Sequence, residues 1–165
     1  MRTYISAAML VVLMLFSAAA RADESPAFEH QLRKLLRSEQ IRHRGERPQP
    51  QAASFAGWWS GRFSYIRSSS TCSTSVTSIL FQHQVAIRGT RAALATNHAG
   101  SFLGSSRDGG RSYQFIKPVE TSSGTFLVGV AYGYLSSGGR SAVIAHLVEH
   151  LPTGCRFAYG AAARR

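Results

Sequence analysis

Acidic side chains are scarce: this 165-residue sequence sets 8 Asp and Glu against 19 Lys and Arg, a net charge of +11 at pH 7. Over residues 54–165 the only acids are Asp108, Glu120 and Glu149, so paired carboxylates for glycoside hydrolysis are hard to assemble. Lysine is confined to Lys34 and Lys117. So strong an Arg-for-Lys skew is what a GC-rich coding sequence gives, and single arginines are not read as phosphate forks. No P-loop, dinucleotide fingerprint, G-x-S-x-G elbow or Cys-rich metal motif occurs, so no cofactor is implied. The longest apolar run is Ala7–Phe16, ten residues against the roughly 20 that span a bilayer. An apolar share of 44% with 16% charged residues excludes wholesale disorder.

What is present begins with an export signal. Arg2 precedes the apolar run, and Ala20-Arg21-Ala22 fits an A-x-A cleavage site, so residues 1–22 read as a signal peptide and the mature chain as periplasmic or secreted, with no stable membrane span after processing. Without Arg2 and Arg21 the charge is 17 basic minus 8 acidic residues, or +9. Residues 54–165 hold eleven basic and three acidic residues, a field that attracts phosphate- or carboxylate-rich envelope polymers. In an oxidising compartment the two cysteines, Cys72 and Cys155, are expected to form one disulfide.

Residues 23–41 carry Phe28, Leu32, Leu35, Leu36 and Ile41 among charges after Ser25-Pro26, the spacing of a short amphipathic helix. Residues 42–53, with two prolines and no periodicity, read as a flexible linker. From residue 54 the texture changes to Val, Ile, Phe, Tyr and Thr stretches punctuated by Gly and Ser, which predicts strands over 57–66, 75–88, 91–98, 101–106, 111–117, 125–135, 141–149 and 155–161. Short connections make consecutive strands antiparallel.

Period-two alternation places Trp59, Phe63 and Tyr65, then Ile79, Phe81, His83, Val85 and Ile87, then Tyr132 and Tyr134, then Ile144, His146 and Val148 on one face. The reverse face of 125–135 carries Gly129, Ala131 and Gly133, suited to sharp curvature or to close approach by an element such as the N-terminal helix. A meander with one apolar face must close or stack, and eight strands close around a filled interior. In such an up-and-down barrel the last strand lies beside the first. Cys155 would open strand eight and Cys72 would follow strand one, so the disulfide would pin the seam.

The opening Phe55-Ala56-Gly57-Trp58-Trp59-Ser60-Gly61 resembles the entry into strand one of lipocalin-like and avidin-like barrels. The pattern is also similar to the small periplasmic inhibitors of bacterial metalloproteases, which join such a barrel to one disulfide and an N-terminal segment that enters the protease cleft. Here the second cysteine falls in the last strand and the N-terminal segment reads as helical, both departures from that pattern.

The expected function is therefore binding without catalysis. An apolar small molecule in the barrel would meet Trp59, Tyr65, His83, Tyr132, Tyr134 and His146, whereas an envelope polyanion or an exported protein would use the exterior. The plainer reading of His83 and His146 is hydrogen-bonded core or wet rim, and His98, in a turn, is expected to be exposed. The protease inhibitor acting through its N-terminal arm is one alternative. The other is a zinc hydrolase using His146-Leu147-Val148-Glu149-His150, an H-x-x-E-H string whose ligands His146 and His150 converge with Glu149 only on a helix. As a strand the two histidines would stand about 13 Å apart. Basic and aromatic residues interleave at Arg62, Phe63, Tyr65 and Arg67, but half-buried strands alternate in the same way, and the export signal argues against nucleic acid.

Overall fold

The computed structural model describes residues 26–43, 55–69, 72, 78–134 and 141–164; the segment expected to be a signal peptide and most of the expected linker lie outside the described residues, as do the side chains of Tyr134 and Arg164. Among the described residues one helix, α1 (residues 26–42), precedes eight strands: β1 (Gly57–Ser68), β2 (Ser78–Arg88), β3 (Arg91–Thr96), β4 (Gly100–Ser105), β5 (Ser112–Thr121), β6 (Gly124–Tyr134), β7 (Ser141–His150) and β8 (Cys155–Arg164). All neighbours pair antiparallel in the order β1 to β8, and β8 pairs back onto β1, closing an up-and-down barrel.

The seam joins Ser64 to Gly160, Tyr65 to Tyr159, Arg67 to Ala158 and Ser68 to Phe157, with a bulge between Tyr65 and Arg67. Cys72 and Cys155 form the disulfide at the end of this seam, with their Cα atoms 4.9 Å apart. Ser69 prolongs the ladder: its amide donates to Arg156 O at 2.9 Å and its hydroxyl oxygen accepts from Arg156 N at 3.1 Å.

β5 and β8 outrun their expected ends the furthest, for physical reasons. β5 continues through Pro118 to Thr121, past its expected end at residue 117. Pro118 has no N–H to give, and β5 pairs with β4 only at Phe115 and Gln114, so Pro118 meets a partner on the β6 side alone, opposite Leu127. Lys117 spans the thin β4–β5 junction, its Nζ donating to Ser101 O at 2.9 Å and lying 4.6 Å from the centre of the Phe102 ring. β8 extends to Arg164 although Ala161, Ala162 and Ala163 have no strand preference, because Ser141 to Ile144 of β7 offer them a ladder.

The described residues pack into two cores. The lumen holds Phe55, Trp59, Phe63, Phe81, Val85, Leu94, Phe102, Tyr113, Phe115, Val130, Tyr132, Ile144 and Tyr159. Outside the wall, α1 lays Phe28, Leu32, Leu35 and Leu36 on Ala131, Val143, Ala145, Leu147 and Ala158. Ile41 is not part of this stripe and is 63% exposed. Pro26 starts the helix at the position where a missing N–H costs nothing. Glu29 binds Arg33 within α1 and Arg107 in the β4–β5 loop, at 3.6 and 3.2 Å. Buried Glu39 lies near Arg42 and His43, at 3.7 and 3.5 Å.

The helix approaches so closely because β6 and β8 present glycine beneath it. A Cβ at Gly129 would stand 2.7 Å from the Phe28 ring and 2.8 Å from Leu32, and one at Gly160 would strike the Glu39 carboxylate. The substitution Gly129→Val is expected to cost about 1–3 kcal/mol by overpacking. Urea unfolding checks the cost, and protease cleavage within α1 should become faster. Unchanged stability and cleavage rate in that variant would mean that α1 is not held against this wall.

Candidate functional site

Trp59, His83, Tyr132 and His146, four of the lumen-facing residues legible in the sequence, meet inside the barrel. At the end where β1 begins, Phe55 and Trp59 form a plug. The Trp59 Nε1–H donates to Phe55 O at 2.8 Å, and the Phe55 ring lies 5.9 Å from both Tyr113 and Tyr132. The Tyr113 hydroxyl donates to Gly89 O at 2.8 Å, fastening the plug to the β2–β3 turn. All four of these aromatic rings are buried in the lumenal core. Tyr65 sits near the opposite rim, 38% exposed, paired with Tyr159 across the seam and 6.0 Å from its ring, just before the bulge.

Deeper in, three imidazoles gather. His83 is fully buried on β2, and its Nδ1 lies 2.5 Å from the Tyr132 hydroxyl. His146, on β7, donates from Nδ1 to Gly129 O at 3.0 Å, which leaves the Nε2 lone pair free in the neutral ring. His98 is the residue that sequence reasoning misplaced. The turn joining β3 and β4 tucks inward, so the His98 ring lies 5.4 Å from His83, 5.2 Å from His146 and 6.3 Å from Phe63. Asn97 holds that turn in place, its Oδ1 accepting from Gln82 N at 2.8 Å and its Nδ2 donating to Leu80 O at 3.3 Å. The sequence signal was a polar turn flanked by the small Ala99 and Gly100, with His98 continuing toward an apolar interior instead of water.

The cluster is held neutral. Burial first, then repulsion from His98 and His146, lowers the His83 pKa from 6.5 to about 3. Burial, then His98, takes His146 to about 3, partly opposed by its bond to Gly129. Burial lowers His98 as well. Burial raises the Tyr132 pKa well above 10, so its hydroxyl keeps its proton. His83 Nε2 and His98 Nε2 are buried without a hydrogen-bond partner among the described residues. Among the described residues no three His, Cys, Asp or Glu side chains are grouped so as to hold a metal ion.

The H-x-x-E-H string lies on β7, and its residues point to three separate tasks. His146 faces the lumen. Glu149 accepts from Arg156 Nη2 at 2.9 Å. His150 donates from Nε2 to Ser123 O at 2.9 Å and takes the Thr153 hydroxyl on Nδ1 at 2.8 Å, tying two turns together. The segment pairs as a hairpin strand with β6, which prevents the convergence that a helical zinc centre of this type needs.

The chain matches no protein-family model, no curated protein and no solved structure. Its own surface therefore supplies the functional clues. The helix core covers the wall on the β6–β8 side and reaches β1 only at Ile66, whereas no described residue of β2–β4 belongs to it. From Arg47 to Arg107 the sequence has no Asp or Glu. Arg62, Arg67, Arg88 and Arg91 point outward from β1–β3, and among the described residues none of them has an ion pair. Arg88 and Arg91 are direct cross-strand partners. Like charges so placed repel, a cost that a bound anion would relieve. The most exposed large apolar residues of the barrel, Leu103 at 83%, Trp58 at 66% and Leu80 at 62%, lie on this same face.

Proposed function

We propose that the chain is an exported, non-enzymatic binding protein with a lipocalin-like barrel, and that it binds through the outside of that barrel, not its lumen. Its partner is an anionic envelope surface rich in phosphate or carboxylate. The observation that carries this reading is the acid-free outer face of β1–β4, where Arg88 and Arg91 stand side by side with no ion partner among the described residues. The interior supports it indirectly, because Trp59, Phe63, Phe81, Phe115, Tyr132 and Tyr159 fill the space where a lumenal ligand would sit. The apolar stripe of α1 is packed on the barrel wall, which argues against an arm that enters a protease cleft.

Two double variants test the reading against polyphosphate and against vesicles containing 30 mol% phosphatidylglycerol. Arg88→Ser with Arg91→Ser is expected to weaken binding to both probes at least tenfold and to flatten the salt dependence. Lys34→Ser with Arg37→Ser removes the same charge from the exposed side of α1 and is expected to change binding by less than twofold. Equal losses in the two variants would reduce the interaction to net charge and overturn the proposal.

A further inference from the structure

The uncovered wall combines its arginines with protruding apolar side chains, and the strand register places them together. On the outer face Arg88, Arg91 and Ser105 form one cross-strand row. Ala86, Ala93 and Leu103 form the next. Trp58, Gln84, Ala95 and Ser101 form the third. Between the two bulky side chains, Trp58 and Leu103, the neighbours are thus alanine, serine and glutamine, with no side chain of comparable apolar bulk. Leu103, 83% exposed, lies one row from the Arg88–Arg91 pair, and Trp58, 66% exposed, lies two rows from it on the same outer face.

We propose that this face seats the protein on an anionic lipid bilayer, with Trp58 and Leu103 entering the headgroup region and Arg88 and Arg91 meeting lipid phosphates. The inference rests on the anionic-partner reading above and names the partner. Charge complementarity selects an anionic partner, since the three rows hold Arg88 and Arg91 and no acid. The exposed Trp and Leu select lipid over a soluble polyanion, which gains nothing from apolar anchors. An indole is amphipathic and settles at the level of lipid headgroups, and apolar side chains next to cations give interfacial binding to anionic membranes. A folded protein partner fits less well. The three rows cover roughly 14 Å in each direction, on the order of 200 Å², against about 800 Å² per side in a standard protein interface. A bilayer continues beyond the patch and also attracts the remaining net positive charge.

The test uses the protein as recovered after export from its own host, with vesicles of pure phosphatidylcholine, vesicles with 30 mol% phosphatidylglycerol, and soluble polyphosphate. Co-sedimentation is expected with the phosphatidylglycerol vesicles and not with pure phosphatidylcholine. Only Trp58 and Trp59 fluoresce as tryptophan, and Trp59 is already buried, so a blue shift on vesicle binding reports Trp58. Trp58→Ser with Leu103→Ser should weaken vesicle binding at least tenfold while leaving polyphosphate binding within twofold. Both sites are exposed, and an unchanged far-ultraviolet circular dichroism spectrum and urea midpoint confirm an intact barrel. If this variant binds vesicles as the parent does and the parent emission does not shift, the lipid inference is overturned while the anionic-partner reading stands. If Arg88→Ser with Arg91→Ser also changes neither probe, both fall.

Discussion

Lowering the pH from 7 to 4.5 is expected to reduce the unfolding free energy by about 5 kcal/mol, a large share of what a domain of this size has. The source is the buried pair His83 and His146, each with its folded pKa depressed from 6.5 to about 3. Between those values the unfolded chain binds a proton at each imidazole and the native barrel does not, so stability falls as pH falls through that window. Each histidine contributes about 1.4 kcal/mol per pH unit below 6.5. Two histidines over two units give the figure, and His98 adds in the same direction. Asp108 is separable. Burial raises its pKa, but bonds from Ser112 and Ser106 outweigh this and hold it below 3.8, so its own loss begins only in more acidic solution. Urea unfolding at pH 7, 5.5 and 4.5 measures the slope. His146→Phe keeps a ring against Phe63 and Tyr159, removes one titrating group, and should roughly halve the loss. Stability that stays flat from pH 7 to 5 would show that the imidazoles are not held neutral in the native barrel.

Removing the disulfide should cost nearly as much. Cys72→Ala with Cys155→Ala releases a cross-link across 83 residues, and the entropy returned to the unfolded chain corresponds to about 4.5 kcal/mol. That figure is an upper one if the unfolded ensemble stays compact. The position makes the bridge matter, because the β1–β8 seam is the closure with the largest separation along the chain. Urea midpoints with the m-value held under watch give the measurement. A loss below about 1 kcal/mol would mean that the seam ladder of Ser64–Ser68 and Phe157–Gly160 closes the barrel unaided.

The strand plan was legible because glycine and period-two alternation both act locally. Turns at Gly89, Gly109 and Gly154 all require positive φ, and the sequence marks each one. The contact between α1 and β6 was legible as one of two alternatives, since Gly129, Ala131 and Gly133 at alternate positions suit either sharp curvature or the close approach that α1 makes. Illegible features depend on what arrives from elsewhere. Whether Ile41 joins the helix stripe depends on where the barrel wall curves away. The inward course of His98 depends on Asn97 reaching Gln82 and Leu80 of β2. Tyr65 alternates with Phe63, yet it is 38% exposed where Phe63 is fully buried, a difference that depends on which neighbouring strands reach that level of the barrel.

For the candidate surface the division is similar. The sequence marks Trp58 as outward through its alternation with Trp59, and it shows the long acid-free stretch. It does not show that Leu103 stands two strands from Ala86, or that the α1 core takes in no described residue of β2–β4. Eight amphipathic strands, one amphipathic helix and a single pair of cysteines follow from the order of residues, because alternation, turn chemistry and composition are properties of near neighbours. The gathering of His83, His98 and His146, the separate tasks of Glu149 and His150, and the patch around Arg88 and Arg91 exist only once the chain has folded. Barrel closure and strand register bring together residues from distant parts of the chain, and no local pattern encodes those distances.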